Sequence, residues 1–169
     1  YDENDRETAL MAHSTLGNTE KARELLDQGA DIHANKEEAL RWAALSGQTE
    51  TVELLLDRGA DIHAADYFGE DPPLRLAAYY GKTETVKLLL NRGAKLRAEE
   101  DYPLRWAAKN NHADTVTFLV KQYRETELKK LGENQEFRGA HAEIAERLRT
   151  LSLIKSVAKA KEQNPGMEI

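Results

Sequence analysis

Three hexapeptides of this chain are near copies of one another: Ala39-Leu40-Arg41-Trp42-Ala43-Ala44, Pro73-Leu74-Arg75-Leu76-Ala77-Ala78 and Pro103-Leu104-Arg105-Trp106-Ala107-Ala108. A second block recurs in the same register, since Thr51-Val52-Glu53-Leu54-Leu55-Leu56-Asp57-Arg58-Gly59-Ala60 matches Thr85-Val86-Lys87-Leu88-Leu89-Leu90-Asn91-Arg92-Gly93-Ala94, and Ala22 to Ala30 is a weaker version. The leucine of the hexapeptide steps from Leu10 to Leu40, Leu74 and Leu104, at intervals of 30, 34 and 30 residues. A unit this short cannot bury its apolar face alone, so neighbours must stack into one elongated core. Four units are present.

Each unit has the pattern of two short helices and a turn. The first helix of the third unit is predicted from Pro73 to Tyr80, opened by a proline whose missing N–H costs nothing there, with Leu74, Ala77 and Ala78 on one face. Gly81 ends it and Thr83 is placed to cap the second helix, in which Val86, Leu89 and Leu90 recur at helical spacing until Gly93. Gly81-Lys82-Thr83 has the spelling of a nucleotide-binding loop. Its counterparts Gly47-Gln48-Thr49 and Gly17-Asn18-Thr19 lack the lysine, however, and Leu76 stands where a phosphate loop needs its first glycine. The triplet is a helix break.

These residues resemble the ankyrin-repeat family, whose unit carries a Thr-Pro-Leu-His-x-Ala-Ala helix, a second helix with a Leu-Leu pair, and a Gly-Ala-Asp hairpin entry. Gly29-Ala30-Asp31-Ile32-His33 and Gly59-Ala60-Asp61-Ile62-His63 match the last element. The resemblance covers about residues 8–123 and implies an all-α solenoid of helix-turn-helix units with short hairpin fingers. It places the repeats at about 8–36, 37–66, 67–100 and 101–123. The first repeat, with Met11-Ala12-His13-Ser14, has the degenerate spelling of a terminal unit. The family's Thr–His pair is replaced, so Arg41, Arg75 and Arg105 must find other acceptors, such as Asp or backbone carbonyls. The fingers after Asp31 and Lys95 are expected to be short, and the one from Ala64 to Pro73 to project furthest.

Beyond Tyr123 the repeat pattern fades into a polar connector, 124–138. An apolar stripe of Ala140, Ile144, Leu148, Leu151, Ile154 and Ala158 then predicts an amphipathic helix or helix pair over 139–163, a cap for the open end of the stack, followed by a tail over 164–169. Residues 1–120 carry 14 Lys and Arg against 22 Asp and Glu, and residues 121–169 carry 10 against 8. An acidic body repels phosphate, which argues against nucleic acid as a partner and favours a protein or peptide of basic character. No apolar run reaches the length of a membrane span, and no cysteine is present for disulfides, thiolate metal sites or nucleophiles. The expected setting is the cytoplasm, of the chain's own cell or of a host into which it is delivered.

Catalytic patterns are absent from the sequence. No serine lies in a Gly-x-Ser-x-Gly elbow, and none of His13, His33, His63, His112 and His141 belongs to a His-Glu-x-x-His helix. No cofactor and no metal is expected, and the chain is read as a non-enzyme. What the resemblance implies instead is a concave groove formed by fingers and first helices. By position, its finger residues are Asn35, Lys36, Glu37, Asp66, Tyr67, Phe68, Glu70, Asp71, Glu99, Glu100, Asp101 and Tyr102; its helix ends are Leu45 and Ser46, Tyr79 and Tyr80, and Lys109 and Asn110. Tyr67, Phe68, Tyr79 and Tyr80 would form the aromatic centre and Glu70, Asp71, Glu100 and Asp101 the acidic rim, with Tyr102, Leu45 and Lys109 alongside. Trp42 and Trp106 are expected to pack between repeats. A targeting or adaptor module of a larger enzyme, with sequence preceding Tyr1, is one alternative; another is self-association of an otherwise monomeric chain through the C-terminal helix.

Overall fold

The computed structural model describes residues 3–64, 73–96 and 102–131. Among them are eight α-helices and no strand: α1 (Glu3–Leu16), α2 (Thr19–Asp27), α3 (Ala34–Ser46), α4 (Thr49–Asp57), α5 (Pro73–Tyr79), α6 (Thr83–Asn91), α7 (Tyr102–Lys109) and α8 (Ala113–Leu131). The helices form two layers. In the inner layer α1, α3, α5 and α7 pack in series, in the outer layer α2, α4 and α6 do the same, and each inner helix of the first three repeats packs on the outer helix that follows it. This is the all-α solenoid that the repeat predicts. The chain divides into two compact units, residues 1–119 and 120–169, and the C-terminal part of α8 is the described portion of the second. The helix expected over 139–163 lies outside the described residues. No helix among the described residues is long and apolar enough to cross a membrane.

The core follows from the repeat. Leu10, Leu40, Leu74 and Leu104 form one buried column, and the small pairs Ala43 with Ala44 and Ala77 with Ala78 are fully covered, which lets inner helices approach closely. Val52 and Leu55 on α4, and Val86 and Leu89 on α6, are fully buried. Each such leucine contributes roughly 1.5–3 kcal/mol by leaving water.

One exception sits in the first repeat. Ser14 occupies the position of Ala44 and Ala78, is fully buried, and its hydroxyl has no hydrogen-bond partner. An unmade buried hydrogen bond costs about 1–3 kcal/mol, so Ser14→Ala is expected to stabilise the chain by about 1 kcal/mol, read as a higher urea midpoint at unchanged slope.

Neighbouring repeats are joined by polar links that the local sequence does not announce. Thr83 does not cap its helix: the residue at the N-cap is Lys82, and it makes no capping side-chain bond. The Thr83 hydroxyl instead lies 2.7 Å from that of Thr115 in the next repeat, as Thr49 pairs with Thr85 at 2.8 Å and Thr19 with Thr51 at 2.8 Å. The three C-terminal partners are wholly buried, so each pair satisfies a hydroxyl that would otherwise be orphaned. A second link crosses at the helix break. Gly81 has φ +66°, a left-handed value that glycine adopts without a Cβ clash, and the His112 ring of the next repeat lies over it. His112 Nε2 donates to the Tyr79 carbonyl at 2.8 Å, which fixes the proton on that nitrogen because a carbonyl can only accept. Gln48 does the same toward Thr15, at 3.2 Å. Lys82 of the nucleotide-like triplet fills this slot over Gly47.

At the C-terminal end α8 continues to Leu131, through the first part of the segment predicted as a polar connector. Gly59 and Gly93 stop α4 and α6; in the fourth repeat the same position is Tyr123, and the Glu, Leu and Lys that follow are strong helix formers.

Candidate functional site

The inner helices end in side chains that nothing in their own repeat covers. In α5 the core face is taken by Leu74, Ala77 and Ala78, which leaves Tyr79, its last residue, and Tyr80, just beyond it, 36% and 45% exposed. Their rings meet edge-on, with centroids 4.9 Å apart and planes at 61°. Tyr79 also touches Trp106 of the following repeat, at 5.3 Å and 51°, and Lys109 Nζ sits 4.7 Å above the Trp106 ring. Edge contacts between rings contribute about 0.5–1.5 kcal/mol each, and an exposed cation over an indole about 0.5–1. The cluster is therefore held in place without a partner.

Of the residues placed in the groove by position, Tyr79, Tyr80 and Lys109 are brought together here, and Leu45 holds the equivalent place in the second repeat, half-buried. Tyr67, Phe68, Glu70, Asp71, Glu100 and Asp101, with Asp66 and Glu99, lie outside the described residues, and Tyr102 is the first residue of α7. Trp106 packs on Tyr79 of the preceding repeat, as expected, and thereby joins the cluster; its spacing of three from Lys109 on one helix was the available signal. Trp42, expected to pack between repeats, is instead 40% exposed, with Nε1 donating to Glu38 at 3.3 Å; the residue of the first repeat that stands where Tyr79 stands against Trp106 is Thr15, which has no ring to stack on.

The first finger departs from expectation at one residue. Glu37, assigned to the exposed finger surface, is 4% exposed, whereas Asn35 and Lys36 stand in solvent. The finger is tight. Asp31 accepts the His33 backbone N–H at 2.9 Å, a turn repeated by Asp61 and His63 at 2.9 Å. Arg41 takes the backbone carbonyls as its acceptors, Nε donating to Lys36 at 3.0 Å and NH2 to Asn35 at 3.1 Å. His33 Nδ1 lies 2.5 Å from Glu37 Oε1, and that hydrogen bond, followed by the charge of Glu37, raises the imidazole above its ordinary value.

The outer face carries a parallel ion-pair series, Arg58 with Asp27 at 2.8 Å, and Arg92 with Asp57 at 2.6 Å and Glu53 at 2.8 Å. These pairs lie in solvent and align repeats without adding much stability. Among the described residues no group of three or more His, Asp or Glu is arranged to hold a metal ion.

The family model described as ankyrin repeats (3 copies) matches residues 1–66 and 68–130. No curated protein matches the chain.

Proposed function

Because the chain belongs to the ankyrin-repeat family, we propose that it is a non-catalytic scaffold that grips a protein or peptide partner in its concave groove. Repeats of this family are in general protein–protein interaction modules. The observation that supports a specific place is the ring cluster of the exposed Tyr79 and Tyr80 with the half-buried Trp106. Aromatic side chains are costly to leave in water, are pre-ordered here, and are the types that carry most of the energy at interface centres. Leu45 and Lys109 flank them on the same ends of the inner helices. The acidic finger residues Glu70, Asp71, Glu100 and Asp101, with Tyr67, Phe68 and Tyr102, extend this surface in the proposal, and the negative balance of residues 1–120 favours a partner of basic character.

The test is capture from a native lysate by the wild-type chain and by a Tyr79→Ser/Tyr80→Ser/Trp106→Ser variant, with folding matched by circular dichroism. A partner held by the wild type and lost by the variant supports the groove. A partner held equally by both moves the binding surface to the outer face or to the C-terminal segment.

A further inference from the structure

The first finger is held in a conformation that its own residues resist. Asn35, Lys36 and Glu37 take φ, ψ of 50°, 38°, then 58°, 59°, then 60°, 39°. That is a run of three left-handed residues without a glycine, and each crowds its Cβ against the following carbonyl. Such a run persists only where its surroundings over-determine it. Two sets of contacts do so here. The Arg41 guanidinium forks onto the carbonyls of Asn35 and Lys36. The Glu37 carboxylate, buried at the end of the run, receives His33 Nδ1 on Oε1, while its Oε2 is buried with no hydrogen-bond partner.

A carboxylate in that position needs a counter-ion, because burial removes the water that would otherwise stabilise its charge. His33 supplies it from the solvent side, where its ring is largely exposed and free to exchange protons near neutral pH. We propose that His33, Glu37 and the left-handed run form a proton-operated latch, closed while His33 is charged and released toward ordinary backbone when His33 loses its proton. Release changes how the finger presents Asn35 and Lys36. The effect on partner binding rests on the groove function proposed above; the latch itself does not.

The charges around His33 act in one direction. Glu37, Asp31 and Asp61 all favour the imidazolium, partial burial opposes it, and Asp31 is itself held by its backbone N–H on Glu7 at 3.1 Å. Arg41 is occupied by the finger carbonyls, and Glu38 by Asn35 Nδ2 at 2.9 Å. A histidine raised in the folded state contributes its stabilisation fully below its unfolded value of about 6.5 and loses it as pH rises through the folded value. The latch therefore opens on the alkaline side of about 6.5. Each unit by which His33 titrates above that value corresponds to about a tenfold change in the closed-to-open ratio.

The experiment follows the His33 ring protons by NMR from acid to alkaline pH, together with amide exchange of residues 34–38, corrected for intrinsic rates and referenced to α4. In the wild type, His33 is expected to titrate above about 6.5, and finger protection to fall about tenfold per unit of that elevation while α4 is unchanged. In Glu37→Gln, His33 returns to its ordinary value and finger protection loses its pH dependence. Should Glu37→Gln fail to fold, His33→Gln, which keeps a donor without a titratable ring, must likewise lose the pH dependence. A wild-type His33 that titrates at or below about 6.5 overturns the latch, and so does a pH dependence that survives in a folded variant. These outcomes are independent of whether the ring cluster captures a partner.

Discussion

Leu89→Ala is expected to lower stability by about 2–5 kcal/mol, the range for truncating a buried leucine whose site cannot collapse. Leu89 is fully buried in α6, beside the fully buried Val86 and Thr85. Backbones already close-packed through alanine pairs cannot move in to fill the space it would leave. The loss would fall in the middle of the stack, where α6 packs on both α4 and α5. Repeat arrays owe much of their stability to interfaces between neighbours, so the damage is expected to spread to adjacent repeats. Urea unfolding at equilibrium checks the size, and Leu88→Ala on the same helix is the control. Leu88 is half-buried, and its truncation should cost less than half as much. Equal losses would show that α6 does not present the face described.

The second large effect is expected at the helix break, where Gly81→Ala should cost about 2–4 kcal/mol, from two terms that add. A side chain at φ +66° costs roughly 1–2 kcal/mol in the left-handed region. The new Cβ would also collide with His112 Nδ1, so the ring must move and its bond to the Tyr79 carbonyl is lost, a further 1–2 kcal/mol or so. The terms separate experimentally. Asparagine is an easier left-handed residue than alanine, as Asn111 at φ +60° in the fourth repeat illustrates, yet it carries the same Cβ. Gly81→Asn should therefore recover the strain and keep the collision, whereas adding His112→Ala to Gly81→Ala should remove the collision and keep the strain. If Gly81→Ala unfolds at the wild-type urea concentration, both accounts fail. The same substitution should loosen the last turn of α5 and with it the ring cluster.

The repeat was legible because it is written as near identity: aligning Leu10, Leu40, Leu74 and Leu104 is enough to order the helices and to dismiss the nucleotide-like triplet. The helix ends were legible at the glycines, and the length of α8 follows the same rule once Tyr123 is seen in a glycine position. What eluded the sequence depends on lateral register. Thr83 is locally a good capping residue, and nothing within its own repeat shows that a buried hydroxyl waits 2.7 Å away in the next. Trp42 and Trp106 share one motif, but the preceding repeat offers Thr15 to the first where it offers Tyr79 to the second, and so one stays exposed while the other stacks. Glu37 belongs to a charged run that reads as solvated, and its burial follows from a left-handed backbone that no propensity scale assigns to Asn, Lys and Glu in succession. Of the candidate site, the helix-end residues could be placed from the repeat alignment, whereas the contact between Tyr79 and Trp106 required knowing which residues of successive repeats stand side by side.

The threonine pairs carry a consequence for how such an array can grow. Each middle outer helix bears both halves of the joint: on α4, Thr51 faces back to Thr19 and Thr49 forward to Thr85, and on α6, Thr85 faces back and Thr83 forward. A middle unit copied in tandem would meet its neighbours with every hydroxyl matched. The flanking units differ, for α2 has Lys21 at the backward position and α8 has Ala113 at the forward one. The joint thus works as a polarity mark with two blank ends, which makes the middle units interchangeable and the flanking ones not. Lengthening this array by a module should succeed by duplication between Thr49 and Thr85, and leave unmatched hydroxyls when an end unit is moved inward.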